Sequence, residues 1–185
     1  MDGTTPNVTA HSRAMPFWEN VIADMEATAA EYEESGWETL LLHPGDVTPL
    51  WNEEDDEFGL DVLVPDNEFE EVEALLDEGI EFDAFEAYRA MSDNIVFVVV
   101  IMEDHDAEIA VCYPTYYDVQ GAEKMLADAM DAGTMYTFLR TLSEDRVQFT
   151  HDDPTVFQPP EPEDADDAEA DDTEADDTKA TDADE

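Results

Sequence analysis

Eight consecutive apolar residues, Ile95–Met102, set the tightest limit on what this chain can fold into. Turn-forming clusters bound the run on both sides, Ser92-Asp93-Asn94 before it and Glu103 to Asp106 after it. An apolar stretch of this length between turn signals reads as a strand, not a helix. It is far too short for the roughly 20 residues that a membrane helix needs. A strand on a sheet with one wet face alternates apolar and polar residues, and this one does not. Both of its faces must therefore be covered. Either the chain's helices divide between the two faces of the sheet, or a second subunit covers one of them.

The remaining periodicities build around that strand. Phe17, Val21, Ile22, Met25, Ala29 and Tyr32 recur at helical spacing and predict a first helix over 14–34, stopped at Gly36. Residues 37–43 read as a strand ended by Pro44-Gly45, and 44–58 as a loop with Trp51 and an acidic run. Leu60–Val64 is a further strand. Asn67 and Glu70 resemble a capping pair that opens a short helix carrying Phe69, Val72, Leu75 and Leu76, ended by Gly79. Residues 82–91 read as a strand, and 108–113 as another that ends at Pro114. Asp118 is expected to cap a third helix with Val119, Ala122, Met125, Leu126, Ala129 and Met130 on one face, stopped by Gly133. Residues 135–142 and 146–150 form a final hairpin. The order α-β-β-α-β-β-β-α-β-β, with short turns between successive strands, predicts an α+β fold: a mainly antiparallel sheet with three packed helices. Residues 1–13 read as a loose leader, 14–157 as a single domain, and 158–185 as a disordered acidic tail. That tail repeats Ala-Asp-Asp pentads and, beyond its prolines, has no apolar residue larger than alanine, so it cannot offset its own ordering entropy.

Charge decides the environment. The chain carries 52 acidic and 6 basic residues, for a formal net charge of −46, and only Lys124 and Lys179 are lysines. The acid is spread along the whole chain and not confined to the tail. At ordinary ionic strength such self-repulsion opposes compaction. At molar salt the Debye length shrinks to about 3 Å and most of it is screened. The composition therefore predicts a halophilic, cytoplasmic protein from a salt-rich cell. It excludes direct nucleic-acid binding, which needs a basic patch. The amino terminus has no apolar signal core and no run spans a membrane, so no membrane contact is expected. The single Cys112 allows no internal disulfide.

The stretches Trp37–Val47, Gly59–Asp66, Ala110–Tyr117 and Phe149–Pro154 resemble those of a family of haloarchaeal proteins of unknown function. The resemblance covers about residues 8–157. It implies a cytosolic archaeal protein and brings no activity and no site residues. The order of elements up to residue 132 is also similar to that of roadblock-type and profilin-like domains, an analogy of fold that transfers no function.

Few residues point to chemistry. Cys112 would need a histidine beside it and a lowered pKa to act as a nucleophile, and inside a strand it reads as a small apolar filler. His43, His105 and His151 lack the spacing of metal ligands and read as solvated or capping groups. Asn52 to Gly59 fails the calcium-loop pattern. No phosphate-cradling glycine motif or nucleophile elbow is present. No metal and no cofactor are expected. Tyr113, Tyr116 and Tyr117, together with His43, Asp46 and Trp51, could line a groove or an interface, or could cap the core at a strand-to-helix corner. Three functions follow. The first is a non-enzymatic interaction or regulatory module, expected to be a homodimer that contacts an unidentified protein partner through the sheet or the Tyr113–Tyr117 region. The second is a small-molecule binder or enzyme with a pocket near His43, Asp46, Cys112 and His151. The third is an acidic decoy that engages a basic partner through the tail.

Overall fold

The computed structural model describes residues 9–161. The tail from residue 162 and the first eight residues of the expected leader lie outside the described residues. The elements are α1 (Ala10–Glu34), β1 (Glu38–Leu41), β2 (Asp46–Asn52), β3 (Glu57–Leu63), α2 (Asp66–Asp77), β4 (Ala84–Ser92), β5 (Ile95–Asp104), β6 (Ile109–Asp118), α3 (Glu123–Ala132), β7 (Met135–Arg140) and β8 (Arg146–His151). A short 3-10 helix over Pro154–Phe157 follows.

The α+β class, the three helices and the predominance of antiparallel pairing are as the sequence predicts. The strands, however, form two four-stranded mixed sheets, ordered β1-β6-β5-β4 and β2-β3-β7-β8. In each sheet one pair is parallel and joins strands distant in sequence, β1 with β6 and β3 with β7. Short turns reveal which neighbours pair antiparallel, but not which sheet a strand enters after a helix.

Four local expectations are corrected. Helix α1 starts at Ala10 and not at 14, because Thr9 accepts a bond from the Ser12 N–H as a cap and Arg13 is held by Asp118 at 2.6 Å. The supposed loop at 44–58 contains β2 and the start of β3. β2 is an edge strand, where Pro49 forfeits no ladder bond to an outer neighbour. Strand β6 runs through Pro114 to Asp118. Its partner β1 ends opposite Cys112, so Pro114 lies where β6 has only β5 beside it. Asn67 and Asp118 do not cap helices. Pro65 precedes α2 without a side-chain cap, with Asp66 and Glu68 in the first turn facing the helix dipole. Asp118 instead accepts from the Gly121 N–H and closes the turn before α3.

Every residue of β5 is buried. On one face Phe97 meets Phe17 of α1, and Tyr116, opposite Phe97 in the ladder, meets Trp18. On the other face Tyr113, opposite Val100, meets Thr137 and Phe149 of the second sheet. The chain's own helix and second sheet thus cover the apolar run, at about 1.5–3 kcal/mol per large side chain buried. Its composition does not require a second subunit. In the second sheet, Gly59 at φ +149° is required: a Cβ there would overlap the Tyr136 carbonyl oxygen and lie 2.9 Å from the Phe138 ring.

Candidate functional site

The eight residues singled out from the sequence do not form one site. His43 follows β1 and turns to α2, where Glu68 accepts from its backbone N–H at 2.7 Å and lies 2.7 Å from its Nδ1. Cys112 is fully buried in β6, and burial pushes its thiol up to about 12, so it is an inert core group. Trp51, at the far end of β2, is exposed. His151 is fully buried. Among the described residues, no hydrogen bond, ion pair or ring contact joins any two of His43, Asp46, Cys112 and His151. The grooves between β1 and α2 and between α1 and β4 are lined by none of them. Nor is any cluster of three or more His, Cys, Asp or Glu arranged for a metal among the described residues.

Two of the eight do meet. The Tyr116 hydroxyl donates to Asp46 Oδ1 at 3.3 Å, and His11 Nδ1 lies 3.0 Å from the same hydroxyl. With the Tyr116 proton given to Asp46, the imidazole N–H donates to the phenol oxygen, and the three form a relay from α1 through β6 to β2. Burial, with Asp46 beside it, pushes the Tyr116 hydroxyl up to about 12, so it stays protonated. The neighbouring Asp118 is penalised by burial, but the Gly121 N–H and Arg13 outweigh that and hold its carboxyl below the usual range. These contacts pin the start of α1 to the sheets. Sequence reasoning missed His11 because it lies in a polar stretch read as leader.

The tyrosine-rich corner is core. Tyr113, Tyr116 and Tyr117 are all buried, so of the two readings open for them the side chains take the place of a core cap and line no open groove. The Tyr117 hydroxyl donates to the Phe157 carbonyl. Tyr113, Thr137 and His151 form a buried chain, with 2.6 Å between the two hydroxyls and 3.0 Å from Thr137 Oγ1 to His151 Nε2. Three groups bring three protons to two bonds. If Tyr113 donates to Thr137 and Thr137 to Nε2, only the Nδ1–H is left without a partner; any other order leaves two groups unpaired. Nδ1 is indeed the one buried side-chain polar atom without a partner among the described residues. The ring sits between Phe85 and Phe157, with centroids 4.7 and 4.9 Å away. Burial pushes its pKa down to about 3, so the imidazole is neutral. Its strand-end position suggested solvent, yet the alternation Val147, Phe149, His151 already placed it on the inner face.

A second carboxylate site was also not foreseen. Glu103 is 5% exposed and has neither lysine nor arginine beside it. The Tyr32 hydroxyl donates to it and His105 Nε2 lies 3.0 Å away, with Trp37 edge-on to both rings.

β4 is a surface with free bonding capacity. It ends the first sheet, and no described residue hydrogen-bonds to its outer backbone edge. Tyr88 is 50% and Met91 47% exposed on it. Within its nine residues the acidic and basic counts cancel, Glu86 against Arg89. The Tyr88 hydroxyl donates to Glu86 at 2.7 Å, and that bond pushes it up to about 12. Arg140 and Arg146 pair with Asp61 and Glu57, whereas Arg89 donates to the Thr155 and Gln158 carbonyls at 2.8 Å and ties the 3-10 helix to β4.

A family model matches residues 6–159, spanning both sheets, all three helices and the 3-10 helix. The chain belongs to DUF7529, a family of unknown function. Membership agrees with the resemblance to a family without assigned activity, and it carries no site residues to this chain. No curated protein and no solved structure matches the chain. Among the described residues no helix is long and apolar enough to cross a membrane.

Proposed function

We propose that this DUF7529 chain is a non-catalytic interaction module that works in the salt-rich cytosol of a haloarchaeon, as one α+β domain followed by an acidic tail, and that β4 is its contact surface. The observation that carries the reading is the character of that strand. An edge strand is normally blunted by charge, proline or short length, because an open row of N–H and C=O groups invites pairing. β4 is long, has no proline, exposes Tyr88 and Met91, and holds no net charge in a chain of −46. Aromatic residues and methionine are the types enriched at contact surfaces, and charged ones are depleted at their centres. An extended partner segment can add to such an edge through main-chain bonds, with side-chain pockets selecting it. The acidic composition supports the high-salt setting, in which the rest of the surface is kept soluble by its carboxylates.

The test immobilises the full chain in molar potassium chloride and measures what it retains, whether its own copies or another protein of the host. Wild type is expected to retain material that Met91→Glu loses and Leu142→Glu keeps, since Leu142 is exposed away from β4. Equal retention by all three would remove β4 from the reading.

A further inference from the structure

We infer that the partner on β4 is a second copy of this chain, paired antiparallel edge to edge about a two-fold axis, so that β1-β6-β5-β4 continues into β4-β5-β6-β1 of the copy. The inference rests on the reading of β4 as the contact surface.

The four sheet ends differ in what they offer. β1 has four residues, and α2 lies alongside it with Ala74 and Leu75 facing Leu40 across a groove. β2 contains Pro49. β8 exposes only Arg146, Gln148 and Thr150, all polar. β4 alone among the described strands combines nine residues, no proline and large exposed apolar side chains at a sheet end.

Charge then selects the occupant. A basic partner would be drawn to carboxylates, which the helices, turns and tail of this chain supply in quantity. A strip from which acid is withheld fits a surface as acidic as itself, because any carboxylate on a two-fold edge is brought towards its own copy. Residues 87–92 hold no acid at all.

Register makes the argument specific. Antiparallel pairing about a two-fold axis keeps each residue on its own face of the sheet, so partners share parity along the strand. Full overlap of Ala84–Ser92 with its copy centres on Tyr88. Tyr88 then faces its counterpart, Glu86 faces the copy's Ala90, and Arg89 faces the copy's Ala87. Within Ala84–Ser92 no like charges oppose each other. Each Tyr88 hydroxyl lies diagonal to the copy's Glu86, the same type of acceptor it already uses within its own strand. The 3-10 helix held by Arg89 lies on the opposite face from Tyr88 and does not block the edge.

Sedimentation equilibrium on the full chain in molar potassium chloride tests this, alongside Tyr88→Glu, Met91→Glu and the control Leu142→Glu. Wild type is expected to self-associate, more tightly as salt rises. Tyr88→Glu sets two carboxylates face to face at the axis and removes an aromatic anchor, and should weaken the dimer roughly 10-fold or more. Leu142→Glu should leave it unchanged. A second measurement does not depend on affinity: Tyr88→Cys should oxidise to a covalent dimer faster than Leu142→Cys, while the buried native Cys112 stays silent. A monomer at every concentration, with no preferential cross-link at 88, overturns the second copy. Retention of a host protein that Met91→Glu loses would then still support β4 as the contact surface. A dimer indifferent to Tyr88→Glu and Met91→Glu overturns the pairing at β4, and if Met91→Glu also retains everything that wild type retains, both readings fall together.

Discussion

The buried imidazole of His151 gives this acidic chain an acid-labile point whose size can be worked out. The ring is neutral and enclosed by Phe85, Phe157 and Thr137, and its pKa falls from 6.5 to about 3. In the unfolded chain it takes up a proton as pH drops through 6.5; in the folded chain it does not. Between those two values the unfolded state binds more protons, so the stability that His151 contributes is complete above pH 6.5 and declines as pH falls. One pKa unit corresponds to about 1.4 kcal/mol. The loss is therefore about 1 kcal/mol at pH 5.5, about 2 kcal/mol at pH 5.0, and approaches about 5 kcal/mol only below pH 3. Protonation of surface carboxylates works in the opposite direction by relieving repulsion, so a single pH profile would mix the two effects. Comparison with His151→Gln removes the shared part, since glutamine can still accept from Thr137 and does not titrate. Urea unfolding of both proteins in molar potassium chloride, at steps from pH 7.5 to 5.0, measures the gap. Wild type should lose about 2 kcal/mol relative to the variant over that range. A constant gap would refute a neutral buried imidazole.

Three further outcomes follow from geometry already described. Gly59→Ala meets the Tyr136 carbonyl and the Phe138 ring at a positive φ, and should cost about 2–4 kcal/mol in urea unfolding; a loss under 1 kcal/mol would mean that β3 and β7 separate freely. Tyr32→Phe takes a donor from the buried Glu103 carboxylate and should cost about 1–3 kcal/mol, more than Tyr88→Phe, whose hydroxyl bonds an exposed glutamate; equal costs would contradict that accounting. Raising potassium chloride from about 0.1 M to 1 M should raise the melting temperature steadily as the Debye length falls from about 10 to 3 Å; a melting temperature insensitive to salt would remove the high-salt adaptation.

Much of the fold was legible because it is written in local periodicity. The apolar faces of the helices, the run at β5 and the stop at Gly133 each depend on neighbours within a few residues. What the sequence concealed depends on distant pairing. β2 was hidden by Pro49 and by the acidic run, Glu53 to Asp56, that follows it. The division into two sheets is set by where β4 and β7 go after a helix, which no local pattern records. The candidate site follows the same logic. Asp46 and Tyr116 were singled out and do meet, but the histidine that joins them comes from a polar segment with no helical stripe. His151 was readable from alternation along β8 and was misjudged from its place at the strand end. The charge balance of β4, Glu86 against Arg89, was readable as a contrast with the acidic stretch at 66–83 that precedes it.

The two parallel pairs govern how the chain acquires its structure. β1 pairs with β6 and β3 with β7, each across roughly 70 residues or more. Neither sheet can close until most of the described chain is available, because the entropy of closing so long a loop precedes any reward from the contact. During synthesis β1 to β3 must wait, and β5 emerges with its apolar surface before the second sheet is complete. Folding should therefore be slow for a chain of this size.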